Sequence, residues 1–428
     1  MIAHLITIGN EILIGDTINT NASWLGNTLT ENGINVERVI TIGDSLDEII
    51  ETIRHSSQKA DVIITTGGLG PTHDDITKKA LCNYFDVGTK LHEPTLNYIK
   101  KIFKKRNIPF SDSNYDQALV PENCEVMFNK WGTAPGMWFN HGTTSIAVLP
   151  GVPHEMKELT LQGILPRVRK KMGDTGYYYV HYFKLAGIGE SSLSDLVIGD
   201  VSKLLKNGIS MAYLPGGQGQ MIRISCIKET RKAAEREVDP LLKHIREKAK
   251  EYIFSEEADD TISAAIGRLL REQELTLSTA ESCTGGLIAS LITDISGSSD
   301  YFEGTIVSYS NDVKIKVLGV DKEALIEYGA VSKQVALQMA KGVAEQLETD
   351  IGISTTGIAG PTGGSPEKPV GTIWIGYWSK NEHFGIKTQL TKDRILNKER
   401  ASAIALDVIR RRLSDIETLP YALKPIYP

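Results

Sequence analysis

From Ile2 to about Pro166, short β-branched runs alternate with stretches whose apolar residues recur every three or four positions. The runs Leu5–Gly9, Val36–Ile42, Val62–Thr66 and Thr144–Leu149 have the length and composition of buried strands. The stretches following Asn19, Leu46, Asp75 and Pro94 have helical spacing. This alternation predicts an α/β class with a mainly parallel sheet and helices on both faces, a three-layer domain. Glycine turns follow the strands at Gly9, at Gly67-Gly68 and at Pro150-Gly151. Open parallel sheets bind ligands beyond the carboxyl ends of their strands, so these turns are where chemistry is expected.

The texture changes from about Arg167 to Phe254, where strands Tyr177–Leu185 and Met221–Lys228 and helices Ser191–Leu205 and Thr230–Glu251 predict a small α+β domain. Its turns, Gly187-Ile-Gly189 and Pro215-Gly-Gly-Gln-Gly219, bring together no acid, base or nucleophile, which favours a scaffolding or dimer-forming role. The acidic segment Ser255-Glu-Glu-Ala-Asp-Asp260 reads as a linker ending in a capping acid before the helix Thr261–Gln273. Strands Leu275–Thr279, Thr305–Tyr309, Ile351–Thr356 and Thr372–Tyr377 then predict a second three-layer α/β domain ending near Ser414. The expected domains are 1–166, 167–254 and 255–415, with a tail at 416–428. The two α/β units share architecture but no motif.

Several domains are also required by size, because 428 residues exceed the roughly 250–300 that one core sustains. With 41% hydrophobic and 23% charged residues and no long apolar run, the chain reads as soluble, without a membrane span. The start Met1-Ile-Ala-His-Leu-Ile-Thr-Ile reads as a buried strand instead of a signal, so a cytoplasmic location is expected. Four scattered cysteines predict neither disulfides nor zinc. A net charge of −6 gives no electrostatic footprint for nucleic acid, and the run Lys100-Lys-Ile-Phe-Lys-Lys-Arg106 reads as a solvated helix face.

Candidate chemistry lies in two groups. In the C-terminal half, Ala280-Glu-Ser-Cys-Thr-Gly-Gly286 forms a strand-to-helix turn that presents Ser282 and Thr284 beside helix N–H groups able to meet an oxyanion. Taken alone, a helix cap is the better account of these hydroxyls. The second cluster, Thr305-Ile-Val-Ser-Tyr-Ser-Asn-Asp-Val-Lys314, puts Lys314 at a helix start, where a cation is disfavoured and in a partly dry site tends to lose its proton. Neutral lysine is a competent base for serine, with Tyr309 placed to relay the proton or orient the amine. A third loop, Thr355-Thr-Gly-Ile-Ala-Gly-Pro-Thr-Gly-Gly364, permits close approach to a ligand, and Arg394 and Arg400 suit a phosphate. Cys283 is the rival nucleophile.

In the N-terminal half, Glu11, Asp16, Asn19 and Asn21 follow the first strand, Asp44 the second, and Gly67-Gly-Leu-Gly-Pro-Thr-His-Asp-Asp75 the third. Carboxylates beyond parallel strand ends suit a hard cation clamped against phosphates, although Asp16 and Asp75 also fit as helix caps. His73 is a candidate proton donor.

Glu281-Ser-Cys-Thr-Gly-Gly286, Val307-Ser-Tyr-Ser-Asn-Asp-Val-Lys314, Tyr328-Gly-Ala-Val-Ser332 and Thr356-Gly-Ile-Ala-Gly-Pro361 closely resemble the CinA C-terminal domain, the nicotinamide mononucleotide deamidase family. The resemblance implies that Ser282 attacks the carboxamide and that Lys314 and Tyr309 handle protons. Thr284, Gly285, Gly286, Gly357, Ala359, Gly360, Arg394 and Arg400 would bind substrate, with backbone donors holding the oxyanion and no cofactor needed. Gly9–Asn21 and Gly67–Thr77 resemble the CinA N-terminal domain, which has a molybdopterin-binding fold and is similar to an ADP-ribose pyrophosphatase releasing AMP and ribose 5-phosphate. There the resemblance implies Asp44 and Asp75 as functional acids. Gly9, Glu11, Asn19, Asn21, Gly67, Gly68 and Gly70 would bind substrate. Asp16, Asp44 and Asp75 would hold a divalent metal (Mg2+, Co2+ or Mn2+), with K+ as a further candidate. A homodimer, no membrane and no nucleic-acid partner are expected. A molybdopterin-binding module and a non-catalytic competence or DNA-damage partner are the alternatives, and shared fold alone does not choose among them.

Overall fold

The computed structural model describes residues 1–428 apart from 71, 73, 74, 108, 174, 175, 217 and 218, and at 112 and 113 the backbone only. Contacts divide the chain into Met1–Tyr178 and Tyr179–Pro428.

The first unit is built on a six-stranded sheet in the order Asn35–Ile42, Ile2–Ile8, Val62–Thr66, Thr144–Leu149, Gly136–His141, Glu125–Met127. The first four strands are parallel and the last two antiparallel. The central strands Ile2–Ile8, Val62–Thr66 and Thr144–Leu149 are buried on both faces, while the edge strand Asn35–Ile42 is largely exposed. Ile6, Ile63 and Val148 meet Ile49 and Ile53 of helix Leu46–Ser57. Leu5, Ile64 and Leu149 meet Leu25 and Leu29 of helix Thr20–Glu31 and Met156 of helix Pro153–Leu159. The two antiparallel strands are absent from the sequence reading; Gly136–His141 turns into Thr144–Leu149 through Gly142, whose φ of 58° suits a tight hairpin too short for a helical crossover. Helix Leu165–Met172 buries Leu165 and Val168 in this core, so the first unit continues past residue 166.

The second unit carries two sheets. Strands Ser210–Gly216, Gly219–Lys228, Tyr177–Leu185 and Ile253–Ser255 lie side by side in that order, covered by Val238, Leu241 and Ile245 of helix Arg231–Lys248. The helix expected over Ser191–Leu205 stops at Ile198, where Gly199 turns the backbone at φ 69°. The other sheet has the order Phe302–Val307, Leu277–Glu281, Ile351–Gly357, Thr372–Ser379, His383–Gln389, the first three parallel and the rest antiparallel. Helices Ile262–Glu272, Leu287–Thr293 and Arg394–Leu413 cover one face. Helix Lys333–Gln346 covers the other and lies unusually close, because a Cβ on Gly352 would stand 2.0 Å from Ala340 O and one on Gly376 2.3 Å from Ala336 O.

The acidic segment is tied down and not a free linker: Ser255 ends a strand, Glu256 receives both Nε and Nη2 of Arg246 at 2.7 Å, and Asp260 pairs with Arg268. Residues beyond 415 also pack, with Leu419 buried and Ile426 bridged to Gly385. The basic run falls in helix Glu93–Arg106, with Lys100, Lys101, Lys104, Lys105 and Arg106 exposed. All four cysteines are free, and among the described residues no helix is long and apolar enough to cross a membrane.

Candidate active sites

Strand Leu277–Glu281 ends on a fully buried acid. The Glu281 carboxylate accepts from Gly286 N at 2.8 Å, Ile288 N at 3.2 Å and Ala289 N at 2.9 Å. These are the first amides of helix Leu287–Thr293, so the expectation of free donors there is corrected: Glu281 occupies them, and the Gly286 amide is not open to substrate. Thr284 is likewise withdrawn, fully buried with its Oγ1 2.7 Å from Thr355 Oγ1. Ser282, whose amide donates to Thr355 O at 2.9 Å, is held half-buried between these anchors.

Lys314 lies in the short helix Asn311–Lys316, capped by Ser310. The chain turns so that its stem runs inward: Nζ is 2.6 Å from Ser308 O and 3.1 Å from Ser282 Oγ, and the residue is 1% exposed. Burial lowers its pKa, opposed in small part by Cys283. A neutral amine in this position donates to Ser308 O and keeps a lone pair for the Ser282 hydroxyl proton. Cys283 behaves oppositely. Buried beside Ser282, its thiol is pushed up to about 12 by desolvation, so it is no thiolate at neutral pH.

Tyr309 does not join this pair. It follows strand Phe302–Val307, is 66% exposed, and its hydroxyl accepts from Arg394 Nη2 at 3.1 Å. Arg394 also donates from Nη1 to Gly360 O at 2.9 Å, stapling the Tyr309 loop to the glycine loop. Asn397, which sequence reasoning missed, fixes that loop from below, donating to Ala359 O at 2.9 Å and Thr391 O at 2.8 Å while accepting from Thr391 N at 2.9 Å. Gly357 is packed against Ile373, Gly285 is exposed, and Arg400 is exposed near Tyr421, away from these contacts.

In the first unit a cleft of about 310 Å³ opens at the strand ends, lined by Gly9, Glu11, Asn21, Asp44, Gly67, Gly68, Gly70 and Asp75. Gly67, at φ 108°, is obligatory, since a Cβ would stand 2.0 Å from Ile8 O. Asn21 is 7% exposed and donates to Gly151 O at 2.7 Å and Thr66 Oγ1 at 3.2 Å, and among the described residues its Oδ1 has no partner. Asp44 accepts from Asn10 N at 3.0 Å and Asp75 from Thr72 N at 2.9 Å. Two expectations are corrected. Asn19 caps helix Thr20–Glu31 and ties Thr7 to Thr41, and Asp16 is exposed outside the cleft lining. Lys78, one turn beyond Asp75, was missed; it lines an adjoining recess with Asp75 and Gly70, and burial lowers its pKa. His73 lies outside the described residues. Among the described residues no three His, Cys, Asp or Glu side chains converge as a metal cluster.

Family models match along the chain: "Probable molybdopterin binding domain" over residues 4–170, "Damage-inducible protein CinA KH domain" over 181–255 and "CinA C-terminal domain" over 259–413. A CinA-like protein of Salinibacter ruber is 42% identical over 415 residues, covering 97% of this chain and 100% of its own length. One from Kosmotoga olearia is 40% identical over 415 residues, covering 96% and 99%. A solved CinA structure from Thermoplasma acidophilum, described as of unknown function, is 37% identical with TM-score 0.35, covering 37% of this chain and 94% of that one. Full-length identity with the CinA-like relatives settles the family: the chain belongs to the CinA proteins, with a molybdopterin-binding-type domain, a CinA KH domain and a CinA C-terminal domain in that order.

Proposed function

We propose that the C-terminal domain hydrolyses the carboxamide of nicotinamide mononucleotide, giving nicotinate mononucleotide and ammonia. The observation that carries this reading is the buried Lys314 amine 3.1 Å from Ser282 Oγ, without a carboxylate to keep it charged. Lys314 takes the Ser282 proton as Oγ bonds to the carboxamide carbon, then returns it to the departing nitrogen as the C–N bond breaks. Water, deprotonated by the same amine, cleaves the acyl ester and restores Ser282. Tyr309 enters the proton path only with substrate bound, because its hydroxyl is otherwise engaged by Arg394.

The N-terminal cleft supports a second activity, hydrolysis of ADP-ribose to AMP and ribose 5-phosphate. The supporting observation is Asn21 Oδ1, without a partner among the described residues, in a cleft that also presents Asp44 and Asp75. Mg2+ is commonly held by one or two carboxylates plus substrate phosphates, so these oxygens fit such an ion without a protein cage. Asn21, Asp44 and Asp75 would hold such an ion, which would supply Lewis-acid activation of the diphosphate. Lys78, beside Asp75, offers a group for the same phosphates.

Both readings are tested on the full-length protein. With nicotinamide mononucleotide, ammonia and nicotinate mononucleotide should form in equal amounts. Ser282→Ala should lose at least about 10³-fold in rate and Cys283→Ala should keep most of it. A fully active Ser282→Ala overturns the nucleophile. With ADP-ribose, AMP should appear only with divalent metal; retention of molybdopterin without AMP release overturns the second activity.

A further inference from the structure

Beside the cleft of the first unit lies a recess of about 20 Å³. Gly68, Leu69, Gly70 and Asp75 line both spaces, so Asp75 stands where the two meet. The recess has room for about one water and too little for a base or a sugar ring. Leu119, Val120 and Met137 give it apolar walls, and Ala134 and Pro135 form a further side. The loop carrying those two is pinned by Asn129, which is 3% exposed, donates to Ala134 O at 2.8 Å and Glu155 Oε2 at 2.6 Å, and accepts from Trp131 N at 2.9 Å and Gly132 N at 3.1 Å. Gln117, directly after the helix Asp112–Asp116, lines the recess and is only 7% exposed, yet among the described residues its carboxamide makes no hydrogen bond. Burial strips water from both its donor and its acceptor, so this side chain is poorly placed unless something small and polar meets it in the recess. The charged neighbours are engaged elsewhere. Lys78 Nζ donates to Asp116 O, and Asp75 Oδ2 accepts from Thr72 N and Oγ1.

We propose that Gln117 holds the hydrolytic water of the N-terminal site, the nucleophile that opens the diphosphate; this rests on the ADP-ribose reading. A water donating to Gln117 Oε1 is held with a lone pair free for phosphorus, the task that a glutamine performs in GTP hydrolysis. The water oxygen bonds to phosphorus as the bridging P–O bond breaks. One of its protons stays on the new P–OH and the other passes to the departing phosphate. Gln117 gives up no proton and touches the water, not the substrate, so it acts on the chemical step and not on binding. The wall pinned at Ala134 keeps the recess too narrow for a larger nucleophile.

The test uses the full-length protein with ADP-ribose and Mg2+. Gln117→Met, close in volume but without a carboxamide, should lower kcat about 100-fold with KM within about threefold. Gln117→Ala should also widen the recess. In dilute methanol this variant should form a methyl ester of one product phosphate and wild type should not, a change of nucleophile that the loss of a merely structural contact would not produce. Full activity of both variants, or a rise in KM at unchanged kcat, overturns the assignment. A crystal structure of the wild type should show a water within hydrogen-bond distance of the Gln117 carboxamide. A wild type that releases no AMP overturns the ADP-ribose reading instead, and the crystallographic water then decides Gln117: a water on the carboxamide upholds it as the water-holding residue, and a recess without one overturns it.

Discussion

Lys314 gives up its hydration on entering the site and gains a carbonyl and a hydroxyl in return, neither of which holds its proton as a carboxylate would. Its pKa therefore falls below the ordinary 10.5. Because the neutral amine is the working form, kcat/KM for amide hydrolysis should rise with pH at unit slope and level off above the lowered pKa. Lys314→Arg should be inactive at every pH, since guanidinium keeps its proton. A flat wild-type profile from pH 5 to 9 would sink the base assignment. Glu281 carries a separate prediction. Its two oxygens serve three amides, and Gln offers only one oxygen, so Glu281→Gln should leave a buried N–H facing an NH2. The expected cost is about 1–3 kcal/mol, read as a lower urea midpoint at unchanged m. Ser282 and Lys314 were legible through their motifs, but the expected conflict with a helix start is corrected: Lys314 lies in the last turn of Asn311–Lys316, and burial lowers its pKa. Glu281 was not, because sequence shows an acid ending a strand but not that the following turn doubles back onto it.

At the scale of elements, the parallel strands announced themselves as β-branched or apolar runs, as did the antiparallel Tyr177–Leu185, Gly219–Lys228 and Thr372–Ser379, whereas the antiparallel Gly136–His141 and His383–Gln389 did not. His383–Gln389 has polar residues at both ends and holds Gly385, which reads as a breaker until the neighbouring Trp374 ring is seen. Gly136–His141 begins on the glycine of Pro135-Gly136, a pair that reads as a turn. The same limit hid Asn397, one polar residue in an otherwise ordinary helix. Its side chain makes four hydrogen bonds that join helix Arg394–Leu413 to the Gly357–Gly360 loop and to Thr391. Asn397→Ala should leave several buried backbone groups unpaired and lower stability by at least about 2 kcal/mol. Below the new Tm, amide hydrolysis should still fall more than about tenfold, because the Ala359 end of the loop would lose its side-chain tether while the Ile358 backbone bonds and the Arg394 bond to Gly360 O remain. Full activity in the folded variant would show that the loop positions itself.

Across the whole molecule, each unit has its own core, with the phosphate-type cleft in one and the Ser282 site in the other. The CinA KH domain is joined to the C-terminal domain inside the second unit by buried charge. Asp407, 1% exposed, accepts from Arg410 Nε at 2.7 Å and Arg411 Nε at 2.8 Å, while Arg410 Nη2 reaches Glu251 O at 2.8 Å. Gly187 of the KH domain completes the fit, as a Cβ there would lie 2.2 Å from Asp407 Oδ2. None of this was readable as a junction, since an Asp with Arg at i+3 and i+4 looks like any solvated helix face. Asp407→Asn should strand two buried guanidinium groups without a counter-charge, costing about 3–5 kcal/mol. The loss belongs to the second unit alone. Heated in parallel, the variant should lose amide hydrolysis at a temperature several degrees below wild type while ADP-ribose hydrolysis, resting on the other core, disappears at the wild-type temperature. Simultaneous loss of both activities would mean that the two units unfold together.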